Sequence, residues 1–306
     1  MESTCTHNCD TCPNKGKCGS GPAPATEQNL RIANSLKGFG RVLLVLSGKG
    51  GVGKSTVATQ LAFYLADKLQ KHVGLMDIDI CGPSIPTMTH TVGEQVHGCA
   101  DGWMPIGVSD NLQTISIGFM LNDVDDAVIM RGPKKHATIA QFLSEVVWDV
   151  DPERVQDNFL IIDTPPGTTD EHLSSINLIT SCSLLLDPAQ RPDIQAIIVS
   201  TPQEVALADV RKEINFCAKI NIRVSGVIEN MSGFVCPCCG KETQIFNPTT
   251  GGCAKMCESH GIRFLGRIPL DAEFSKAGEQ GKPWSQIEAK TAGVAMFEAI
   301  VAKIVE

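Results

Sequence analysis

The stretch GKGGVGKS, from Gly48 to Ser55, constrains this chain more than any other feature. It fits the G-x-x-x-x-G-K-[ST] pattern. It follows the apolar run RVLLVLS and opens STVATQLAFYLADKL, which has helical period. A strand, a glycine-rich turn and a helix in that order make a phosphate cradle. The glycines let backbone amides close around phosphate oxygens, and the helix N-terminus adds positive potential. Gly48, Lys49, Gly50, Gly51, Val52, Gly53, Lys54, Ser55 and Thr56 are the candidate nucleotide-binding residues. Lys54 is expected to contact the β and γ phosphates and little else, and Ser55 to bind Mg²⁺ through its hydroxyl.

A loop of this kind predicts alternating strands and helices, and the chain supplies them. HVGLMDID, LQTISIGF, NFLIIDT, QAIIVST, IRVSGVIEN and IRFLGRIP read as strands, with helical patterns such as PQEVALADVRKEINFCAKI between them. KTAGVAMFEAIVAKIVE reads as a closing amphipathic helix, and no internal repeat is visible. The expected fold is α/β, a doubly wound, mostly parallel sheet in one domain over residues 30–306. Residues 1–29 form a separate cysteine-rich tail ending in the flexible linker GSGPAPATEQN. That tail has almost no large apolar residues, so something other than a core must order it.

Two acidic segments end strands, where open α/β sheets put their chemistry. LIIDTPPGTTDEH closes a strand with Asp163, an arrangement suited to hold Mg²⁺ through its water shell. Pro165, Pro166 and Gly167 read as a switch loop that feels the γ phosphate. DIDICGPS places Asp77 and Asp79 in a comparable position. For Asp77 a purely local hydrogen-bonding role stands beside a catalytic one.

Lys49 resembles the signature lysine of the deviant Walker A group, which includes MinD- and ParA-type ATPases. There the lysine crosses a dimer interface to the partner's nucleotide. SGKGGVGKST, DIDICGPS, RGPKK, IIDTPPGTTDEH, STPQEVALADVRKEINFC, IENMSGFVCP and FLGRIPLD stand in order along the chain. Together they resemble the Mrp/NBP-type ATPases, scaffolds for iron–sulfur cluster assembly. With its cysteine tail the chain is most similar to the larger nucleotide-binding scaffold of cytosolic cluster assembly. The resemblance implies a slow, cytoplasmic ATPase whose turnover is coupled to cluster assembly and transfer to apoproteins. It implies catalytic roles for Lys49, Lys54, Asp79 and Asp163, with Asp79 orienting water and Asn230 recognising adenine. It also implies a homodimer, or a hetero-oligomer with a smaller related ATPase that lacks the tail.

The 13 cysteines carry the rest of the chemistry. The tail reads C-x3-C-x2-C-x5-C, from Cys5, Cys9, Cys12 and Cys18, with His7 as a polar neighbour. Four thiols match a 4Fe–4S cluster and equally a Cys₄ zinc site. The family resemblance favours the cluster, although its eukaryotic members have a longer first gap than this chain. In FVCPCCGKET, Cys236 and Cys239 are the CxxC pair the family uses. Two such pairs facing across a two-fold axis would supply four ligands to a bridging 4Fe–4S cluster, with Cys238 a bystander or a transient ligand. The rival is an intrachain zinc site, C-x2-C-x13-C-x3-C, completed by Cys253 and Cys257. Cys81, Cys99, Cys182 and Cys217 are isolated and are expected to be small buried apolar residues.

Charge and hydropathy exclude other classes. A net charge of −8 argues against a nucleic-acid-binding surface. No apolar run approaches the ~20 residues that span a bilayer. MESTCTHNCD has neither a basic nor an apolar region of a secretory signal, which favours a reducing compartment. A cargo-positioning ATPase of the MinD/ParA class would want a basic amphipathic tail, and AKIVE is not one. An ATP-coupled electron-transfer reductase would want a second mid-chain cysteine to partner Cys99, and IMRGPKK has none. A zinc-stabilised ATPase with no cluster role is the remaining alternative.

Overall fold

A computed structural model describes residues 25–80, 82–120, 132–167, 170–236, 238–246, 248, 250–287 and 291–306, and of 170 and 171 the backbone only. Cys5, His7, Cys9, Cys12 and Cys18 of the tail, and Cys81, lie outside the described residues.

In chain order the elements are α1 (Glu27–Leu36), β1 (Arg41–Leu46), α2 (Lys54–Phe63), β2 (His72–Asp77), α3 (Ile85–Met88), β3 (His97–Cys99), β4 (Gly102–Met104), β5 (Ile106–Ser109), β6 (Leu112–Ser116), α4 (Gly132–Glu145), β7 (Asn158–Asp163), α5 (Asp170–Ser183), β8 (Asp193–Ser200), α6 (Glu204–Lys219), β9 (Arg223–Val235), β10 (Glu242–Thr243), α7 (Gly252–His260), β11 (Phe264–Leu270), α8 (Ala272–Glu279) and α9 (Ala292–Val305). The main sheet runs β10-β9-β8-β1-β7-β2-β6-β5, with β11 also paired to β9. Its pairings are parallel except for β5 on β6 and β10 on β9. The expected doubly wound, mostly parallel sheet is the one observed.

Strand β1 shows how the sequence buries itself on both faces. Val42, Leu44 and Leu46 point to one side, among Ile32 and Leu36 of α1, Phe142 of α4, Ile176 of α5 and Leu207 of α6. Leu43 and Val45 point to the other, among Val57 and Leu61 of α2 and Phe297, Ile300 and Ile304 of α9. The run is continuously apolar because helices cover both faces. Each such side chain contributes about 2 kcal/mol of burial.

Helix α1 starts at Glu27, where Thr26 Oγ1 accepts the Asn29 amide at 3.2 Å. Residues 27–29, expected as linker, therefore belong to the folded unit. The helical run after the phosphate loop does not stay regular. Tyr64–Lys68 forms a π-helical turn, which the hydrophobic period did not signal.

One cysteine expectation fails. Cys99 is exposed on β3, part of a two-stranded ribbon with β4 outside the main sheet. The ribbon packs on the core through Trp103 of β4, which meets Phe142 with ring centres 5.8 Å apart, while β3 is its exposed outer strand. Cys182 and Cys217 are buried in α5 and α6 as expected, and burial pushes their thiols up to about 11 and about 12.

The strand order positions the chemistry. β7 lies between β1 and β2, and the register sets Asp163 beside Val45 on one side and Asp77 on the other. The C-terminal ends of three strands therefore converge on one point, immediately under the loop that follows β1.

Candidate functional site

The phosphate loop runs from Ser47 to the first turn of α2. Its geometry depends on two glycines in particular. Gly48 packs so tightly on α6 that a Cβ there would lie 2.5 Å from Asp209 Cβ. Gly53 adopts φ 84°, and a Cβ on it would meet Asn230 Nδ2 at 2.2 Å. Ser47 Oγ donates to the Lys49 carbonyl at 3.0 Å and steadies the loop entry. The Lys49 side chain is exposed, Val52 is buried, and Gly50, at the exposed top of the loop, faces Pro166 of the switch segment. Ser55 and Thr56 sit half-buried at the start of α2.

Lys54 is 6 % exposed, and its Nζ lies 2.5 Å from Asp163 Oδ1 and 4.0 Å from Asp79 Oδ2. The expectation that it touches phosphate and little else is thus incomplete. Asp163 and Asp77 are buried side by side at the strand ends, and two adjacent carboxylates draw the nearest cation inward. Asp163 Oδ2 has no hydrogen-bond partner among the described residues, although it is buried. An orphaned carboxylate oxygen near the Ser55 hydroxyl is the donor set that a hydrated Mg²⁺ accepts. Lys54 Nζ also reaches Ser55 Oγ at 3.4 Å.

Asp77 takes a local role. Its Oδ2 accepts the Ser116 hydroxyl at 2.9 Å and its Oδ1 the Asp79 amide at 3.0 Å. Burial and then the neighbouring Asp163 hold its carboxyl well above the usual range, against the pull of Lys54. Asp77 therefore shapes the turn that carries Asp79. The Ser116 partner, one strand away on β6, had no signal in the sequence.

The switch segment is anchored from below. Thr164 Oγ1 donates to the Val45 carbonyl at 2.9 Å, and the Gly167 amide donates to Ser47 O at 2.7 Å. The His172 Nδ1–H of α5 donates to the Gly167 carbonyl. Sequence reasoning did not single out His172.

The second site sits at the far end of β9. Asn230, 8 % exposed, donates from Nδ2 to the Val52 carbonyl of the phosphate loop at 2.8 Å. Six residues later the chain reaches Cys236, just beyond the strand. β9 and β10 form an antiparallel hairpin, pairing Phe234 with Thr243 and Val235 with Glu242. At its tip the Cys236 amide donates to Lys241 O at 3.0 Å, and the Gly240 amide to Cys236 O at 2.8 Å. This turn aims the backbone N–H groups of Cys239 and Cys238 at the Cys236 sulfur, and they hold its thiol below the ordinary range. Backbone donors that lower a thiol's pKa favour the thiolate, the form that binds metal. Cys238 and Cys239 are exposed, and Phe234 and Ile245 leave apolar surface beside them.

The alternative zinc tetrad does not assemble. Cys253 and Cys257 are 0 % and 1 % exposed in the core face of α7. Burial pushes both thiols up, Cys257 to about 11, which opposes the thiolate that zinc needs. Among the described residues, no three His, Cys, Asp or Glu side chains are grouped to hold a metal ion. A metal held at Cys236 and Cys239 would therefore take its further ligands from beyond the described residues. A cleft of ≈ 710 Å³, lined by His90, Glu94, His97 and Lys282 among others, is built from residues of neither site.

Comparison with known proteins agrees with this geometry. The family described as NUBPL iron-transfer P-loop NTPase, of the ParA group, matches residues 38–305. The chain is 48% identical over 299 residues to a Drosophila melanogaster protein named cytosolic Fe-S cluster assembly factor Nubp1 homolog, covering 97% of this chain and 91% of that one. The Drosophila ananassae protein of the same name is 49% identical, over 92% of this chain and 88% of its own. A nucleotide-binding protein of Archaeoglobus fulgidus, solved in complex with ADP and with cobalt found in it, superimposes with a TM-score of 0.69 at 31% identity, covering 89% and 97% of the two chains. The cell-division ATPase MinD of Pyrococcus furiosus shares the fold at a TM-score of 0.53 and 17% identity, covering 87% and 98%. With the phosphate loop, the paired strand-end carboxylates and the cysteine hairpin all inside the matched span, the chain belongs to the NUBPL iron-transfer P-loop NTPase family.

Proposed function

We propose that this chain is an ATP-dependent scaffold that assembles 4Fe–4S clusters in the cytosol and transfers them to apoproteins. The observation that carries this reading is a single strand. β9 holds Asn230 against the Val52 carbonyl of the phosphate loop, and six residues later, just past the strand end, comes Cys236, whose thiol pKa is lowered by backbone donors. A change at the nucleotide therefore has a short covalent route to the cluster ligands. The names of the Drosophila relatives support the cargo and the compartment, and the ADP complex of the archaeal relative supports an adenine nucleotide. Asn230 is the residue we assign to adenine, which it would reach by exchanging its Val52 contact.

In this reading the cluster is cargo held by Cys236 and Cys239 of two subunits across a two-fold axis. The exposed apolar surface of Phe234 and Ile245 beside the cysteines favours such a contact. The partner is a second copy, or a smaller related ATPase without the tail. Lys54, Lys49, Asp79 and Asp163 act on the phosphates, with Mg²⁺ held by Ser55 and the Asp163 side. Bound Mg²⁺ neutralises charge on the β and γ oxygens. Cys5, Cys9, Cys12 and Cys18 hold a second cluster in the tail.

Two results test these assignments. Lys49→Ala is expected to leave ATP binding within about threefold and to lower hydrolysis by tenfold or more, the loss typical of one charge-stabilising donor. The hydrolysis defect should be relieved when wild-type subunits are mixed in, because the lysine acts across the dimer. An unchanged rate would place Lys49 outside catalysis. Deletion of residues 1–21 should remove the tail's share of iron and leave an ATPase with unaltered basal turnover, itself well below the median enzyme value of about 10 s⁻¹. Loss of all iron, or of folding, would contradict an independent tail.

A further inference from the structure

One nitrogen of His172 has an acceptor in contact and a carboxyl just beyond hydrogen-bond distance. Its Nδ1–H donates to the Gly167 carbonyl, and the same nitrogen lies 3.9 Å from Glu213 Oε1 of α6. Both side chains are fully buried. The imidazole is also held edge-on to Phe216, one turn after Glu213 on the same helix, with ring centres 6.1 Å apart. Among the described residues neither Glu213 oxygen has a hydrogen-bond partner. A buried carboxyl without a partner is costly to keep, and such groups persist where they serve a second arrangement.

We propose that Glu213 is a positioning residue for nucleotide turnover, the alternate acceptor to which His172 Nδ1–H passes when the Gly167 carbonyl is released during the ATP cycle. The inference rests on the ATPase reading of the phosphate loop and not on the cluster. Gly167 is bracketed by two hydrogen bonds, its amide to Ser47 at the loop entry and its carbonyl to His172. A nucleotide that draws Gly167 toward the γ phosphate must break the second. Glu213 then offers the imidazole N–H an acceptor within the core. The exchange needs no proton transfer, since one N–H changes acceptor.

The charge environment suits an exchange between neutral groups. Burial lowers the His172 pKa against the opposing Gly167 hydrogen bond, and Lys54 lowers it further, which favours the neutral ring. Burial and then Asp209 push Glu213 up to about 8, so it is mainly the neutral acid at pH 7. Cys217, also on α6, feels Glu213 but stays a thiol, pushed up to about 12. Of the elements packed on α6, β9 and α7 bring Glu229, Cys253 and Cys257, and Glu229 is already engaged by Arg267 and the Cys253 amide. Above pH 8 the ionised Glu213 would hold the imidazole N–H too firmly to return it.

The test compares steady-state ATP hydrolysis by full-length wild type, Glu213→Leu and Glu213→Gln from pH 6 to 9.5. Glu213→Leu removes the second acceptor and is expected to lower kcat about fivefold, the size of one neutral hydrogen bond, with KM for ATP unchanged. Glu213→Gln keeps an acceptor that cannot ionise, so it should retain turnover at pH 7. It should also lose the fall in kcat that wild type shows above pH 8. Equal kcat in the Leu variant, or a wild-type pH profile retained in the Gln variant, would overturn the proposal. If Glu213→Leu does not fold, the Gln profile decides alone. If no variant and no wild-type protein hydrolyses ATP, the ATPase reading itself has failed.

Discussion

Lys54→Ala is expected to abolish ATP hydrolysis and also to lower the melting temperature. The first effect follows from the loop: the ammonium is the point charge for the β and γ phosphates, and its loss should cost at least about 100-fold in turnover. The second follows from the 2.5 Å contact to Asp163, which is fully buried beside Asp77. Removing the cation leaves Asp163 uncompensated, a defect of about 3 kcal/mol. For a domain of this size that corresponds to a fall on the order of 5–10 °C. The two effects separate in a double variant. Lys54→Ala combined with Asp163→Asn should recover most of the lost melting temperature and none of the activity. Calorimetry alongside a phosphate-release assay reads both. Wild-type ATP affinity and turnover in Lys54→Ala would remove the phosphate loop from the account.

Cys236→Ala and Cys239→Ala are each expected to lose the bridging cluster completely. A cubane held by four thiolates, two from each subunit, loses two ligands when one position is changed in both chains. The broad visible absorbance of the reconstituted protein should fall to the level of the tail cluster alone, and the dimer should weaken with it. Cys238→Ala should keep both, because the residue 238 amide that supports the Cys236 sulfur survives the substitution. Cys253→Ala and Cys257→Ala should also keep the cluster and differ from wild type only in stability. Each vacates a fully packed site on α7 whose thiol is protonated.

The parts of this molecule that were legible in its sequence are those where chemistry is local. GKGGVGKS determines strand, loop and helix by its own glycines, and Asp163 announces itself as the polar end of an apolar strand. The cysteine pair was legible too, but its activation was not. That depends on Gly240 and Lys241 closing the hairpin so that two amides point at one sulfur. Pairings between distant segments were hidden for the same reason. Nothing in LQTIS marks Ser116 as the partner of Asp77, and nothing near Asn230 marks Val52. Such contacts are set by strand order and register, which periodicity does not encode. Cys99 was misread because the expectation of burial rested on residue type alone, and residue type does not reveal that HGC forms the exposed strand of an outlying ribbon.

The central claim is that nucleotide turnover in this chain serves a cluster shared between subunits through Cys236 and Cys239. Anaerobic purification followed by iron, sulfide and zinc analysis on protein of known oligomeric state tests it most directly. Equal iron and sulfide, little zinc, and a dimer whose cluster content falls in Cys236→Ala and in Cys239→Ala are expected. A monomer carrying one zinc per chain, lost on substitution of any of Cys236, Cys239, Cys253 or Cys257, would contradict it.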